Sequence, residues 1–122
     1  MQKNIKVTYE VLLPEKSNIP SSELSSIFFN LLDNGIESCN ASGSESPFIS
    51  VTSKMSAGFL TVHMQNSKDP KKTFNHKTSK KDILNHGFGL SIIEDICKKN
   101  DGSCQWIDNG DTFDSVVMLR YQ

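Results

Sequence analysis

The chain has no long apolar run, and nothing in it approaches the ~20 consecutive apolar residues that a helix needs to cross a bilayer. Its first residues, Met1 to Tyr9, alternate polar and apolar, unlike a secretory signal. It has no excess of one charge: thirteen Lys and Arg stand against fourteen Asp and Glu, a formal net charge of −1. No global field would draw it onto nucleic acid or an anionic membrane, and neither is an expected partner. Cysteine is scarce, at Cys39, Cys97 and Cys104. The odd count and the spacing predict reduced, mostly buried thiols of a cytosolic protein, and zinc, which takes four clustered ligands, is not expected. No Ser-His-Asp or Cys-His arrangement is suggested, and Cys97 reads as core rather than nucleophile.

What remains is one domain's worth of chain, 122 residues, enough for a single hydrophobic core. Residues 5–13 begin in strict alternation, with Ile5, Val7, Tyr9 and Val11 on one face, as a half-buried strand requires. Pro14 and Pro20 bracket a loop, after which Ser21 or Ser22 can cap a helix over about 22–40. Leu24, Ile27, Phe28, Leu31 and Leu32 form its apolar stripe, extended by Ile36. Gly35 inside it marks either a close approach or simple tolerance. Residues 48–54 and 59–65 read as strands joined by a hairpin. About twenty polar, lysine-rich residues follow, and a loop that long inside a small domain is typically a lid, a binding loop or disordered. A broadly buried helix over 88–99 stops at Gly102, and strands 103–107 and 112–120 are joined through Asn109-Gly110. This order predicts an α+β fold, a mixed sheet covered on one face by helices.

Two patterns carry chemistry. Asn30 and Asn34 lie one helical turn apart with Glu37 beside them, a polar strip at the edge of the buried stripe. Amide oxygens so spaced can approach a hydrated Mg²⁺ from one side, or be plain surface residues. His86-Gly87-Phe88-Gly89-Leu90 stands where the polar loop ends and the second helix begins. Glycines there let backbone N–H groups come close to an anion, at the positive end of a helix.

Phe28-Phe29-Asn30-Leu31-Leu32-Asp33-Asn34-Gly35-Ile36-Glu37-Ser38 resembles the N-box of the GHKL superfamily. The histidine-kinase form reads N-L-L-x-N-A, and only the alanine differs, replaced by Gly35. His86-Gly87-Phe88-Gly89-Leu90 resembles the G2 box ending in G-x-G-L. With Thr78-Ser79-Lys80-Lys81-Asp82 ahead of it, the segment is similar to that of the Agr-type peptide quorum-sensing kinases. The resemblance covers nearly the whole chain.

It implies a Bergerat fold: a two-layer α/β sandwich with a mixed, mostly antiparallel sheet and an ATP lid over about residues 66–86. All of residues 1–122 would form one ATP-binding catalytic domain. The implied cofactors are ATP and Mg²⁺, and the implied activity is transfer of the γ-phosphate to a histidine. Asn34 would be the Mg²⁺ ligand, with Asn30 a neighbour of metal and phosphates. Gyrase-like ATPases have a glutamate base at the position of Asn30; an amide cannot accept that proton, which favours transfer over hydrolysis. Lys80 is the candidate phosphate-contacting cation, with Asn30 the other residue of the catalytic pair. His86, Gly87, Gly89 and Leu90 would bind ATP.

The Asp-x-Gly-x-Gly segment of most histidine kinases is missing; Val62-His63-Met64-Gln65-Asn66-Ser67 stands in its place. Asn66 is the counterpart of its aspartate, able to accept from the adenine amino group. Loss of the glycines predicts weak nucleotide affinity. None of His63, His76 and His86 opens an acidic, helical H-box, so the acceptor would lie on separate dimerisation helices of a parent kinase. A response regulator would act downstream. The domain would be cytoplasmic, without membrane contact of its own, in a parent anchored in the cell membrane. Two other readings stay open: an interaction module that has lost effective ATP binding, and an anti-sigma-type serine kinase.

Overall fold

Alternation is clearest in the three central strands. Ile49, Val51 and Ser53 point to one side of β2 (Phe48–Ser56), and Leu60, Val62, Met64 and Asn66 to the same side of β3 (Phe59–Ser67). Ser115, Val117 and Leu119 do so on β5 (Thr112–Arg120). The computed structural model describes residues 4–72 and 88–122. With β1 (Lys6–Glu10) and β4 (Ser103–Asp108), these strands form one five-stranded sheet in the order β1-β2-β3-β5-β4. β1 runs parallel to β2, and the other pairs are antiparallel. The expected α+β, mixed-sheet, two-layer architecture is the one observed.

Two helices, α1 (Ser21–Ala41) and α2 (Phe88–Lys99), cover one face of the sheet. Ile27, Leu31 and Cys39 of α1 meet Ile93, Ile96 and Cys97 of α2 over Ile49, Leu60, Val62, Met64, Val117 and Leu119. Each large aliphatic side chain fully buried there contributes about 1.5–3 kcal/mol. The far face carries Thr61, His63, Gln65 and Asp114, the polar side that an antiparallel sheet can leave in water.

The turns follow local chemistry. Ala57 and Gly58, at φ 53° and 83°, make a two-residue link between β2 and β3, with positive φ at both positions as the primed hairpin turns require. The expected hairpin joins β4 to β5, but its turn is Gly110 (φ 91°) with Asp111, one residue beyond Asn109-Gly110, since the Asn109 N–H donates to the Thr112 carbonyl at 2.9 Å. α2 ends differently from expectation. The left-handed residue is Asp101 (φ 50°), and the Gly102 N–H donates to the Cys97 carbonyl at 2.8 Å. Gly102 is needed for space: a Cβ there would sit 1.8 Å from the Met118 carbonyl oxygen.

Other expectations are corrected. Neither Ser21 nor Ser22 caps α1; Pro20 precedes it, and its carbonyl accepts from the Glu23 and Leu24 N–H groups. Ile36 is 42 % exposed, and the apolar stripe continues through Gly35 and Cys39 instead, because a 100° step carries Ile36 past the edge of the sheet. Ile92 likewise points outward. β1 is not half-buried: Val7 is 49 % and Tyr9 78 % exposed, since the apolar groove they line with Phe28 and Leu32 of α1 is open to solvent. β3 runs on through Ser67, so Asn66 and Ser67 belong to a strand and not to a lid.

Hydrogen bonds tie α1 to α2 and each helix to the sheet. Glu23, at the start of α1, accepts from Lys99 Nζ at 2.5 Å and from Asn100 Nδ2 at 3.0 Å, at the end of α2. Trp106 of β4 donates its indole N–H to Glu94 of α2 at 3.2 Å. Ser38 of α1 donates to the Ser67 carbonyl at 2.9 Å.

Candidate functional site

Between α1, the end of β3 and the first turn of α2 lies a cavity of about 260 Å³. α1 gives it Asn34, Glu37, Ser38 and Ala41; β3 gives Asn66; α2 gives Leu90; β5 gives Phe113 and Ser115. The turn after β3 closes it with Lys68, Asp69 and Lys72. Asn34, Ser38 and Ala41 come at spacings of four and three, the same face of one helix. Phe113 and Ser115 continue the inward alternation of Val117 and Leu119.

Asn34 presents a polar atom that the protein leaves unsatisfied. Its Nδ2 is buried without a hydrogen-bond partner among the described residues. The two ends of a carboxamide are assigned by their neighbours, and with no neighbour to fix it this amide can equally turn its oxygen inward. A buried polar group without a partner costs about 1–3 kcal/mol, so a ligand that completes it is favoured.

Asn66 is fixed. It is 2 % exposed, and its Nδ2 donates to the Ser67 carbonyl at 2.9 Å, the same oxygen that takes the Ser38 hydroxyl. A carbonyl can only accept, so the amide orientation is determined, and the residue's acceptor oxygen is the end turned away from Ser67.

Asn30 is absent from the described lining of the cavity. Its Nδ2 turns back to the Ser26 carbonyl at 2.7 Å and the Ser26 hydroxyl at 3.2 Å. Its Oδ1 lies at the start of α2, 3.0 Å from where a Cβ on Gly89 would stand. Gly89 thus lets α2 begin hard against the asparagine helix. Gly35 has a different reason: it is buried against Ile49 Cδ1 and Met64, at 3.2 and 3.3 Å from a notional Cβ, so its neighbours are core side chains and neither ligand nor backbone. Lys80, His86 and Gly87 lie outside the described residues, as does most of the segment 66–86 expected as a lid.

Burial keeps the thiols in their protonated form. Burial, with help from the neighbouring Cys104, pushes the Cys97 thiol up to about 12. Burial also raises Cys39, whose Sγ lies 3.2 Å from the Phe48 carbonyl oxygen, and Cys104. No group of three or more His, Cys, Asp or Glu able to hold a metal occurs among the described residues. No described helix is long and apolar enough to cross a membrane.

Ser38, Phe113 and Ser115 of the lining were missed by the sequence reading, although helical spacing and strand alternation put them on inward faces. Lys68 was missed too, because nothing separates it by sequence from the other lysines of its run.

The fold has close relatives in shape. The nucleotide-free catalytic domain of histidine kinase ThkA superposes with a TM-score of 0.72 at 18 % identity, over 96 % of this chain and 78 % of that one. Histidine kinase AdeS of Acinetobacter baumannii gives 0.70 at 12 % identity, over 97 % of this chain and 55 % of that one. The mycobacterial sensor histidine kinase MprB gives 0.65 at 14 %, over 97 % and 83 %. At such identities the likeness is one of fold. No curated protein matches in sequence. The family model described as the GHKL domain matches residues 20–120, from the residue before α1 to the last of β5, and so takes in every described element that lines the cavity. On that match the chain belongs to the GHKL domain family.

Proposed function

We propose that residues 1–122 form the MgATP-binding catalytic domain of a sensor histidine kinase of the peptide quorum-sensing branch. The observation that carries this reading is the pairing, in one cavity, of an unsatisfied Asn34 amide with an oriented Asn66 acceptor. Asn66 accepts from the adenine amino group. Asn34 would hold Mg²⁺ through its amide oxygen. Mg²⁺, when bound, offsets phosphate charge. Gly89 and Leu90 bring the first turn of α2 to the phosphates, and Asn30 stands beside that turn. Gly87, His86 and Lys80 take their roles from the G2-like segment alone.

No described group near Asn30 supports it as a base, since its amide is tied to Ser26. The chain's contribution is therefore positioning and electrostatics, as in phosphoryl transfer generally. The acceptor is a histidine on separate dimerisation helices, with a response regulator downstream, and the domain works in the cytoplasm beneath a membrane-anchored parent. Alone it binds nucleotide and transfers nothing.

The test is an NMR titration with MgADP of wild type and Asn34→Ala. The variant should lose at least tenfold in affinity with Mg²⁺ and far less without it. Equal Mg²⁺ dependence in both would sink the metal role. A second reading, an interaction module without effective ATP binding, draws on Lys68 and Pro70, which stand where the related segment has glycines if Asn66 takes the aspartate's place. It predicts no thermal stabilisation at millimolar MgATP, whereas a ligand at 100 times its Kd adds about 2.7 kcal/mol.

A further inference from the structure

Lys68 is a lysine taken out of water. It is 8 % exposed. Its ammonium donates to the carbonyl oxygens of Asp69 at 2.8 Å, Gly110 at 3.0 Å and Lys72, and lies 3.3 Å from Asp108 Oδ1. An ammonium has three N–H donors. Three carbonyls take them and a carboxylate balances the charge, which is what a buried ion requires. Its backbone N–H also donates, to Asp111 at 2.9 Å.

These partners belong to two separate pieces of chain. Asp108, Gly110 and Asp111 form the tip that joins β4 to β5, where Asp108 Oδ1 also accepts from the Gly110 N–H at 2.9 Å. Asp69 to Lys72 form the turn after β3, closed by Lys72 N–H to the Asp69 carbonyl at 3.1 Å and Lys71 N–H to Asp69 Oδ1 at 2.9 Å. Lys68 itself directly follows the strand that carries Asn66. Asp69 and Lys72 line the same cavity as Asn34 and Asn66. No residue from 66 to 72 has positive φ, so the backbone here makes no demand for glycine.

We propose that Lys68 is a positioning residue of the nucleotide pocket: its ammonium clamps the 69–72 turn to the β4–β5 tip and so sets the cavity wall beside Asn66. The inference rests on the reading of this cavity as a nucleotide site. With all its donors engaged, Lys68 does not reach for phosphate; it acts through the turn it holds. A chain that lacks the glycines of the related segment thereby obtains a defined wall by a side chain instead of by backbone freedom.

Lys68→Met keeps the apolar stem and removes the charge. Two readouts apply to it: amide hydrogen exchange at Lys71 and Lys72, and MgADP affinity. Exchange should quicken at least tenfold at those two amides, with core amides such as that of Val62 changed much less, and affinity should fall at least tenfold. Lys68→Arg retains the charge and enough N–H donors for the same carbonyls, so it should lose less affinity than Lys68→Met. Unchanged exchange at Lys71 and Lys72 would overturn the clamp, and quickened exchange with unaltered affinity would overturn its role in the pocket. If the methionine variant does not fold, Asp108→Asn carries the same two readouts with the same opposing outcomes. A wild type that binds no MgADP sinks the nucleotide reading alone, and the exchange arm still decides whether Lys68 holds the turn.

Discussion

Gly102 has room for hydrogen only. A methyl group at its Cα would overlap the Met118 carbonyl oxygen, and the atom in the way is backbone of β5, which cannot rotate aside. Gly102→Ala should therefore cost about 3 kcal/mol or more, in the range where single substitutions become diagnostic. Urea denaturation followed by circular dichroism checks it; a loss under about 1 kcal/mol would show that the end of α2 can shift. Gly35 offers the contrast. The nearest atoms to its notional Cβ are the ends of Ile49 and Met64, both able to move. That is consistent with alanine at this place in the related N-box. The two glycines look alike in sequence, and only their neighbours, distant along the chain, tell them apart.

At the scale of elements, an ion pair joins the start of α1 to the end of α2. Lys99 holds Glu23 by a hydrogen bond, Asn100 adds a second, and together they keep the Glu23 carboxyl below its ordinary value of 4.5. A depressed carboxylate contributes stability that is present above its unfolded value and is lost as pH falls through its folded one. Glu23→Gln should thus lower Tm at neutral pH, and the gap from wild type should close as pH drops below 4.5. Parallel melting curves at pH 7 and in the acid range check this; a gap that stays constant would place the loss elsewhere than in the charge. Lys99 is 67 % exposed, so the effect should also shrink in high salt.

Elements were readable wherever period and burial agree. β2, β3 and β5 alternate and are half-covered, and both helices carry stripes that meet the sheet. β1 alternates just as strictly, yet its apolar residues stay exposed, because alternation reports a strand and not what lies above it. Asn34 and Asn66 were readable as candidates from the N-box and from the gap left by the missing aspartate. Their shared cavity was not, since β3 and α1 meet through Ser38 and Ser67, 29 residues apart. Lys68 was hidden for the same reason: its partners at the β4–β5 tip lie 42 residues on.

At the scale of the whole molecule, one core serves both layers. Leu31 is 1 % exposed, on the helix that faces the sheet between the cavity and the α1–α2 contact. Leu31→Ala should cost about 2–5 kcal/mol and leave a single cooperative transition, as expected of a domain this small. Coincident unfolding curves by far-ultraviolet and near-ultraviolet circular dichroism would verify it; separated curves would mean that sheet and helices unfold apart. Trp106 adds a consequence of its own. It is the one tryptophan in the chain, its ring packs against the core, and its N–H is held by Glu94 of the helix whose first turn borders the cavity. Its fluorescence therefore comes from a single place, and its emission will move to the red when α2 parts from β4. The unlabelled protein carries an optical gauge of that seam.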